Sequence, residues 1–400
     1  MAARAFGGAH LCHEKMVISV NLNDAFGHAR YSRYSTRAEL GSDERSVLFL
    51  VGSTAISGGT FVILQHALAL KEYGWRVTLA CLAIDHGSDP WHPALVELDL
   101  IPMDRVEGRT FDVAIATWWR TVLDLHRIDA RQYVYFVQSI ESRFYGGDPI
   151  LESIVSLVDE TYKLELLVIT IAGWIQLFLH SEYGVSSLLV RNGIRKDLFS
   201  LVGPRFAPLR DDGIRVLVEG PVGVPMKNVD AAVRLARAGG AAEIWLVSGS
   251  AGESNHLVDR FFRTVRVEDM SMIYRSCDVL LKLSRVEGMY GPPLEMFHCG
   301  GTVVSYDVTG FEEYVVDEVN GLVVPMDDEA GVVESIRRLA KDRILLARLK
   351  HGALLTAAGW MDWRKSSREF AGYMTGIANL PERDYSLARR RSAELSARLP

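Results

Sequence analysis

Short apolar runs alternate with helical segments through most of this chain, and this alternation is what most constrains its fold. The first run, Val47 to Val51, leads into a glycine-containing turn and then a helical stretch that Gly74 ends. Continuous apolar runs are typical of parallel strands that are covered on both faces. Strands that alternate with helices are typical of doubly wound domains. We therefore predict an α/β fold with parallel sheets.

The alternation is interrupted once, between residues 203 and 213, where Pro, Gly and charged residues replace the apolar pattern. A second series of strands and helices begins at Ile214. A chain of 400 residues is also long for a single core. We predict two Rossmann-like domains facing each other across a cleft. The predicted units are an N-terminal arm (1–44), a first domain (45–205), a second domain (213–359), and C-terminal helices (360–400) that pack back on the first domain.

Composition and charge narrow the class of protein. Hydrophobic residues make up 48% and charged residues 24% of the chain, which is a globular balance. The formal net charge of −6 argues against a nucleic-acid partner, since such proteins carry a basic excess. The four cysteines are scattered without metal-ligand spacing, and the first residues lack the apolar core of a signal peptide. We expect a cytoplasmic protein.

One strongly apolar stretch, Leu166 to Leu179, needs a separate interpretation. It is shorter than the roughly 20 residues that a membrane-spanning helix needs, and it contains Gly173 and Gln176. We interpret it as a buried strand followed by a helix. Peripheral contact with the inner membrane face stays open. The basic run from Arg389 to Arg391 is interpreted as a solvated helix face.

The most informative segment is SRVEGMYGPPLEMFHCG, residues 284–300. It follows a buried strand, passes through a turn and enters a helix with proline at its first positions. Such a helix start suits phosphate or sugar oxygens, because its N–H groups are unpaired and carry the positive end of the dipole. Glu287 and Glu295 are eight residues apart, about two helical turns, which predicts that both lie on one side of the helix.

This pair of glutamates and its surroundings resemble the signature of the group 1 (family 4) glycosyltransferases of GT-B fold. The resemblance covers roughly residues 45 to 375, and it extends to the segments before and after the pair. It implies that Glu287 contacts the donor sugar and that Glu295 holds the ribose. It also implies that the backbone around Gly288, Met289, Tyr290 and Gly291 lies against the sugar or the diphosphate.

The same family has a basic pair, Arg and then Lys, that grips the diphosphate from the first loop of the second domain. In this chain Lys227 stands where the lysine is expected, and Gly220 or Pro221 stands in place of the arginine. A leaving diphosphate still needs positive charge. Lys227 and the helix start are predicted to supply it, and the cations Arg266, Lys282 and Arg285 are further candidates.

The first domain offers Gly58 and Gly59 between its first strand and first helix. Paired glycines allow a ligand to approach the backbone closely, and the resemblance implies contact with the donor. A plain tight turn is the alternative reading.

Four further residues follow strands of the first domain: Trp118, Trp119, Gln138 and Glu141. We assign them to the acceptor or sugar side of the cleft. They resemble a branch that acts on bacterial surface polysaccharides, including rhamnosyltransferases that use a dTDP-sugar. Gln138 stands where many relatives have a sugar-contacting histidine, which suggests a donor with different hydroxyls. Core packing is as good an explanation for the paired tryptophans.

The predicted function is transfer of a hexose-type sugar from a nucleotide-diphosphate sugar, linked to dTDP, UDP or GDP, to a hydroxyl of a glycan or glycolipid. The resemblance implies retention of configuration. The sequence has no Asp-x-Asp and no HExxH motif, so we expect neither a metal ion nor another cofactor. Two alternatives stay open: another enzyme of the same fold, such as a nucleotide-sugar epimerase or a sugar phosphorylase, and a non-catalytic subunit that binds nucleotide sugars.

Overall fold

The computed structural model describes residues 45–85, 90–145, 151–249, 256–263 and 265–399. The predicted N-terminal arm, residues 1–44, lies outside the described residues.

The first sheet has seven parallel strands in the order β3-β2-β1-β4-β5-β6-β7. Four residues of β1, from Val47 to Leu50, have no exposed surface, because helices cover both faces of the sheet. The strands are β1 (Ser46–Ser53), β2 (Arg76–Ala83), β3 (Asp99–Pro102), β4 (Thr110–Ala116), β5 (Asp129–Val137), β6 (Leu167–Thr170) and β7 (Leu188–Leu189). The helices are α1 (Gly58–Glu72), α2 (Ala94–Glu97), α3 (Trp119–Val122), α4 (Glu152–Tyr162) and α5 (Gly173–Tyr183).

The second sheet has six parallel strands in the order β10-β9-β8-β11-β12-β13. Its two faces carry separate apolar clusters, one under α6 and α9 and the other under α7 and α8, and helix α10 contributes residues to both. The strands are β8 (Arg215–Glu219), β9 (Glu243–Ser248), β10 (Arg260–Arg263), β11 (Val279–Lys282), β12 (Thr302–Tyr306) and β13 (Gly321–Val324). The helices are α6 (Val229–Ala238), α7 (Val267–Ser276), α8 (Gly291–His298), α9 (Glu329–Lys341) and α10 (Arg343–Gly359). The prediction of two Rossmann-like α/β domains is confirmed.

The chain then crosses back to the first domain. Ile194 donates its N–H to the carbonyl of Met361, and the next residue, Asp362, begins helix α11 (Trp363–Ala378), which is followed by α12 (Ser386–Ser396). Phe370 and Met374 of α11 are fully buried in the core of the first domain. The first domain is therefore completed by residues that follow the second domain in the sequence.

The apolar stretch Leu166–Leu179 forms β6 and the first two turns of α5. None of the described helices is both long enough and apolar enough to cross a membrane.

Candidate functional site

The candidate site lies where the strand order reverses. In each sheet the order changes direction between two central strands, β1 and β4 in the first and β8 and β11 in the second. Loops that leave the carboxyl ends of such strands diverge and open a crevice, which is where doubly wound domains bind ligands. The predicted loops of Gly58 and Trp118 leave β1 and β4, and those of Lys227 and Glu287 leave β8 and β11.

Lys227 and Glu287 form an ion pair in the second domain. Lys227 ends a 3-10 turn, Pro225–Lys227, and Asn228 behind it adopts a left-handed conformation with φ of 53°. The Lys227 Nζ donates to Oε1 of Glu287 at 2.8 Å. Glu287 is only 8% exposed. Burial alone would raise its pKa, but Lys227 and Lys282 outweigh burial and lower the pKa below its ordinary value. Glu287 is therefore an anion at neutral pH.

Lys282 lies in the middle of a buried charged cluster. It ends strand β11 with 6% exposure, and its Nζ donates to Oε2 of Glu219 at 2.7 Å and to the Glu219 carbonyl at 3.0 Å. Burial would lower the pKa of Lys282, but the carboxylates of Glu219, Glu287 and Glu295 raise it. The lysine is thus a fixed cation among three acids.

Glu295 is the third acid of this cluster, and its pKa is raised. Burial and the negative charge of Glu219 raise its pKa to about 7, although Lys282 acts in the opposite direction. At neutral pH Glu295 therefore changes easily between its charged and neutral forms, and a ligand that supplies hydroxyl donors would favour the charged form.

The expected geometry of Glu287 and Glu295 is wrong in one respect. Helix α8 begins only at Gly291, so Glu287 lies in the loop before it and Glu295 lies one turn inside it. The two acids meet around Lys282 because the loop turns back, not because they share one side of a helix.

The helix start also offers fewer donors than expected. The first four N–H groups of a helix have no partner within the helix. In α8 these positions are Tyr290, Gly291, Pro292 and Pro293, and proline has no N–H. Only Tyr290 and Gly291 have an N–H that can donate to an anion, so this helix start offers a weaker anion site than the sequence predicts.

Two of the three further candidate cations pair with acids outside the charged cluster. Arg266 is exposed and pairs with Glu268 at 3.5 Å. Arg285 is half-buried, pairs with Asp327 at 2.6 Å and donates to the Pro225 carbonyl at 3.3 Å, at the back of the turn that carries Lys227. Lys282 alone among the three borders the glutamates, and its Nζ lies beside Gly220, 3.9 Å from where a Cβ of residue 220 would stand. A lysine on β11 therefore stands near the position where the resemblance implies an arginine on the β8 loop.

The paired glycines of the first domain lie at the start of α1 and are exposed. Ser57 precedes them as the N-cap residue and accepts a hydrogen bond from Thr60 N. The side-chain amide of Gln138 donates to the Gly59 carbonyl at 3.3 Å, so Gln138 lies against this loop.

Gln138 also contacts the second domain. A Cβ at Gly288 would overlap the carbonyl oxygen of Gln138, so the loop after Glu287 approaches the first domain at the end of β5. The neighbouring residue Met289 packs against the apolar cores of both domains, and its Sδ is 3.7 Å from Asn192 Nδ2. The backbone of Gly288 and Met289 thus takes part in the contact between the domains, which the sequence did not indicate.

Two of the four residues predicted for the acceptor side of the cleft are buried and do not line an open surface. Trp119 is 3% and Glu141 is 6% exposed. The backbone N–H of Trp119 donates to Oε2 of Glu141 at 2.8 Å, and the hydroxyl of Tyr135 donates to the same oxygen at 3.2 Å. Burial raises the pKa of Glu141 to about 8. The assignment of Trp119 and Glu141 to an acceptor surface is corrected: both pack inside the first domain.

Trp118 is partly exposed, and its ring covers Gly52 so closely that a Cβ at residue 52 would overlap it. Trp118 and Gln138 thus keep some exposed surface near the cleft. Within the part of the chain that the structure describes, no three His, Cys, Asp or Glu side chains are grouped so that they could hold a metal ion.

Three residues that sequence reasoning did not select belong to this region: Glu219 in the charged cluster, and Trp174 with Glu313, which meet across the two domains. A glutamate at the carboxyl end of β8 was a usable signal for the first. No local pattern indicates that Trp174 and Glu313 meet, because the two residues lie 139 positions apart in the sequence.

Comparisons with known proteins agree with this architecture. Residues 201–342 match the family model of glycosyl transferases group 1. The sucrose-phosphate synthase of Thermosynechococcus elongatus has a similar structure, with a TM-score of 0.67 and 16% identity over 84% of this chain and 99% of that chain. Anabaena HepE, solved in complex with UDP-glucose, aligns with a TM-score of 0.64 and 15% identity over 83% of this chain and 99% of that chain. The chain therefore has the GT-B fold.

A curated relative gives a closer but shorter match. The D-inositol 3-phosphate glycosyltransferase of Saccharomonospora viridis is 33% identical over 110 residues, which are 28% of this chain. The match spans only about a quarter (25%) of that relative's length. The residues that match the family model, 201–342, include Lys227, Glu287 and Glu295 of the second domain.

Proposed function

We propose that this protein is a glycosyltransferase that moves a sugar from a nucleotide-diphosphate sugar to a hydroxyl acceptor. The observation that carries the proposal is the ion pair of Lys227 and Glu287, 2.8 Å apart at the topological switch point of the second domain. The group 1 family match of residues 201–342 supports it, since it covers both residues.

The charges of the cluster suit the two halves of such a donor. The diphosphate is an anion and needs Lys227, with Lys282 behind it, whereas the sugar develops positive charge as its bond to the phosphate breaks. The Glu287 carboxylate would stabilise that positive charge, because fixed charges in a buried site act with little screening. Glu295 would accept hydrogen bonds from the ribose hydroxyls.

The reaction can then proceed on one face of the sugar. The bond from the anomeric carbon to the phosphate oxygen breaks, and its electron pair leaves with the diphosphate. The acceptor oxygen bonds to the anomeric carbon from the same side, and its proton passes to the departing phosphate oxygen. Configuration at the anomeric carbon is retained. Lys227 holds the diphosphate while its charge increases.

The donor and acceptor are proposed by class. UDP-glucose is bound by the structurally similar HepE, which makes UDP a first candidate beside dTDP and GDP. The acceptor is a hydroxyl of a glycan or glycolipid, in polysaccharide or glycoconjugate synthesis at the inner membrane face. The rhamnosyltransferase-like branch rests only on the resemblance of residues 116–119 and 135–145, and the curated relative described above carries a different name, D-inositol 3-phosphate glycosyltransferase.

Replacement of Glu287 by alanine tests the proposal. Release of nucleotide diphosphate, dependent on added acceptor, should fall about 100-fold or more, as is usual when a group that stabilises the transition state is removed. Glu334→Ala is the matched control, because Glu334 is exposed and pairs with the exposed Arg337, and a surface pair contributes little. Full activity of Glu287→Ala would contradict the proposal. Donor binding by the unaltered protein without any turnover would favour the non-catalytic subunit.

We further propose that transfer needs no metal ion. Lys227 and Lys282 place two cations beside the proposed diphosphate position, which is the role that a divalent ion has in other transferases. Activity in excess EDTA should equal activity in Mg²⁺ or Mn²⁺. A strict requirement for either ion would overturn this part of the proposal.

A further inference from the structure

Trp174 is a first-domain residue that contacts two loops of the second domain. It is the second residue of α5 and is partly buried. Its indole Nε1 donates to the carbonyl of Gly288 at 2.7 Å, directly after Glu287. A Cβ at Gly310 would overlap the indole beside its Nε1, so a second loop of the same domain lies against the ring next to the Gly288 carbonyl.

The orientation of Trp174 is fixed from several directions. Ala172, the N-cap residue of α5, has no side-chain oxygen that could cap the helix, and the N–H of Trp174 donates to Oε1 of Glu313 at 3.0 Å instead. A carboxylate at a helix start is favourable for the helix dipole. Arg191 contacts the other oxygen of Glu313 at 3.4 Å, and Arg143 lies over the indole, 5.3 Å from its centre.

These contacts connect the two domains at the point where the proposed sugar site begins. The Gly288 carbonyl belongs to the loop that carries Glu287, and Gly288 is also in contact with Gln138 of the first domain. The indole has only one strong donor, and it is used on this loop. A tryptophan used merely to fill space between the domains would not need its N–H to face a carbonyl of this one loop.

We propose that Trp174 is a positioning residue for donor-sugar binding, which acts by holding the Glu287 loop through the Gly288 carbonyl. This inference rests on the proposed function and adds that the sugar half of the site is complete only when the first domain contributes this side chain. The diphosphate half is built on Lys227, which lies on the loop after β8 and not on the loop that Trp174 contacts.

The inference predicts different effects on two affinities, that for the nucleotide sugar and that for the nucleotide diphosphate. In Trp174→Phe the ring remains and the N–H donor is lost. The dissociation constant of the nucleotide sugar should rise about fivefold, which is the usual effect of one lost hydrogen bond. The dissociation constant of the matching nucleotide diphosphate should stay within about twofold, because Lys227 lies on the separate loop after β8 and keeps its charge. Calorimetric titrations with UDP and UDP-glucose, dTDP and dTDP-rhamnose, and GDP and GDP-mannose provide both values.

A matched control is Trp91→Phe. Trp91 also donates its indole N–H to a carbonyl, that of Thr54 at 2.8 Å, but this bond stays within the first domain. The Trp91→Phe substitution should leave the ratio of the nucleotide-sugar to the nucleotide-diphosphate dissociation constant unchanged. Glu313→Ala tests the same inference without changing the first domain. It removes the acceptor for the N–H of Trp174 at the start of α5, and it should raise the ratio of the nucleotide-sugar to the nucleotide-diphosphate dissociation constant. The test therefore remains available if Trp174→Phe folds poorly.

The possible outcomes are distinct. If the unaltered protein binds none of the six probes, the proposed function fails and this inference fails with it. If the unaltered protein binds and neither variant changes the ratio, the inference alone is overturned. Equal weakening of nucleotide sugar and nucleotide diphosphate would also overturn it, because that result indicates a general structural role for Trp174.

Discussion

Glu295 shows how a single side chain can couple ligand affinity to pH. Burial and the charge of Glu219 raise its pKa to about 7. The folded protein therefore keeps this proton up to about pH 7, whereas an unfolded chain releases it near the ordinary value of 4.5. The cost of ionising Glu295 lowers the stability of the folded state progressively as pH rises through that window.

The affinity for a nucleotide sugar should change in the opposite direction. An ionised carboxylate accepts stronger hydrogen bonds from hydroxyls than a neutral one, so affinity should increase several-fold between about pH 6 and pH 8 as Glu295 ionises. In Glu295→Gln, which has no proton to lose, this increase should be absent. Calorimetric titration of both proteins at three pH values measures it. An equally steep pH dependence in both would contradict the assignment of Glu295 to the ribose.

At the scale of an element, the loop before α8 needs a glycine at position 288 because of the space available there, and not because of its backbone dihedral angles. Gly288 has no positive φ, but its Cα faces the backbone of Gln138. Backbone is hard to displace, so a methyl group there must separate the loop from the first domain. The glycine is required by the neighbouring domain and not by the turn in which it lies.

Gly288→Ala should therefore reduce kcat/KM for donor at least about tenfold, because a displacement of about 1 Å at a reacting group is costly. Gly359→Ala is the control, since Gly359 lies in helix α10 with open space around its Cα. Steady-state kinetics and the unfolding temperature should be measured for both. An active Gly288→Ala enzyme would show that the two loops separate without consequence for the site.

At the scale of the whole molecule, the first domain depends on the end of the chain. Phe370 of α11 is fully buried, stacks on His66 with ring centres 4.3 Å apart, and also contacts the ring of Phe49. The same environment lowers the pKa of His66 to about 3 through burial, so the imidazole is neutral and acts as an aromatic core residue.

Removal of this ring should destabilise the first domain strongly. Phe370→Ala should lower the free energy of unfolding by about 3–5 kcal/mol, the usual cost of a large cavity. Leu355→Ala, at a 63% exposed position, should change it by less than about 0.5 kcal/mol. Chemical denaturation followed by circular dichroism checks both. A small effect of Phe370→Ala would mean that α11 is dispensable for the core.

Much of the local structure could be predicted from the sequence because its causes are local. Apolar runs at Val47–Val51 and Val279–Leu283 specify buried parallel strands, and glycine and proline mark where helices stop and start. The placement of Glu287 and Lys227 at strand ends follows from the same pattern, since it depends only on the strands that precede them. The family resemblance added their expected roles.

Tertiary structure alone decided which groups meet. Three contacts join positions that are far apart in the sequence, and no short-range pattern encodes them. They are the pairing of Lys282 with Glu219, the buried hydrogen bond between Trp119 and Glu141, and the contact of Trp174 with Gly288. A strand-end residue can face a cleft or a core with the same neighbours in sequence. Burial and charge become defined only when the sheets and the returning helices α11 and α12 enclose them, which is a property of packing in three dimensions.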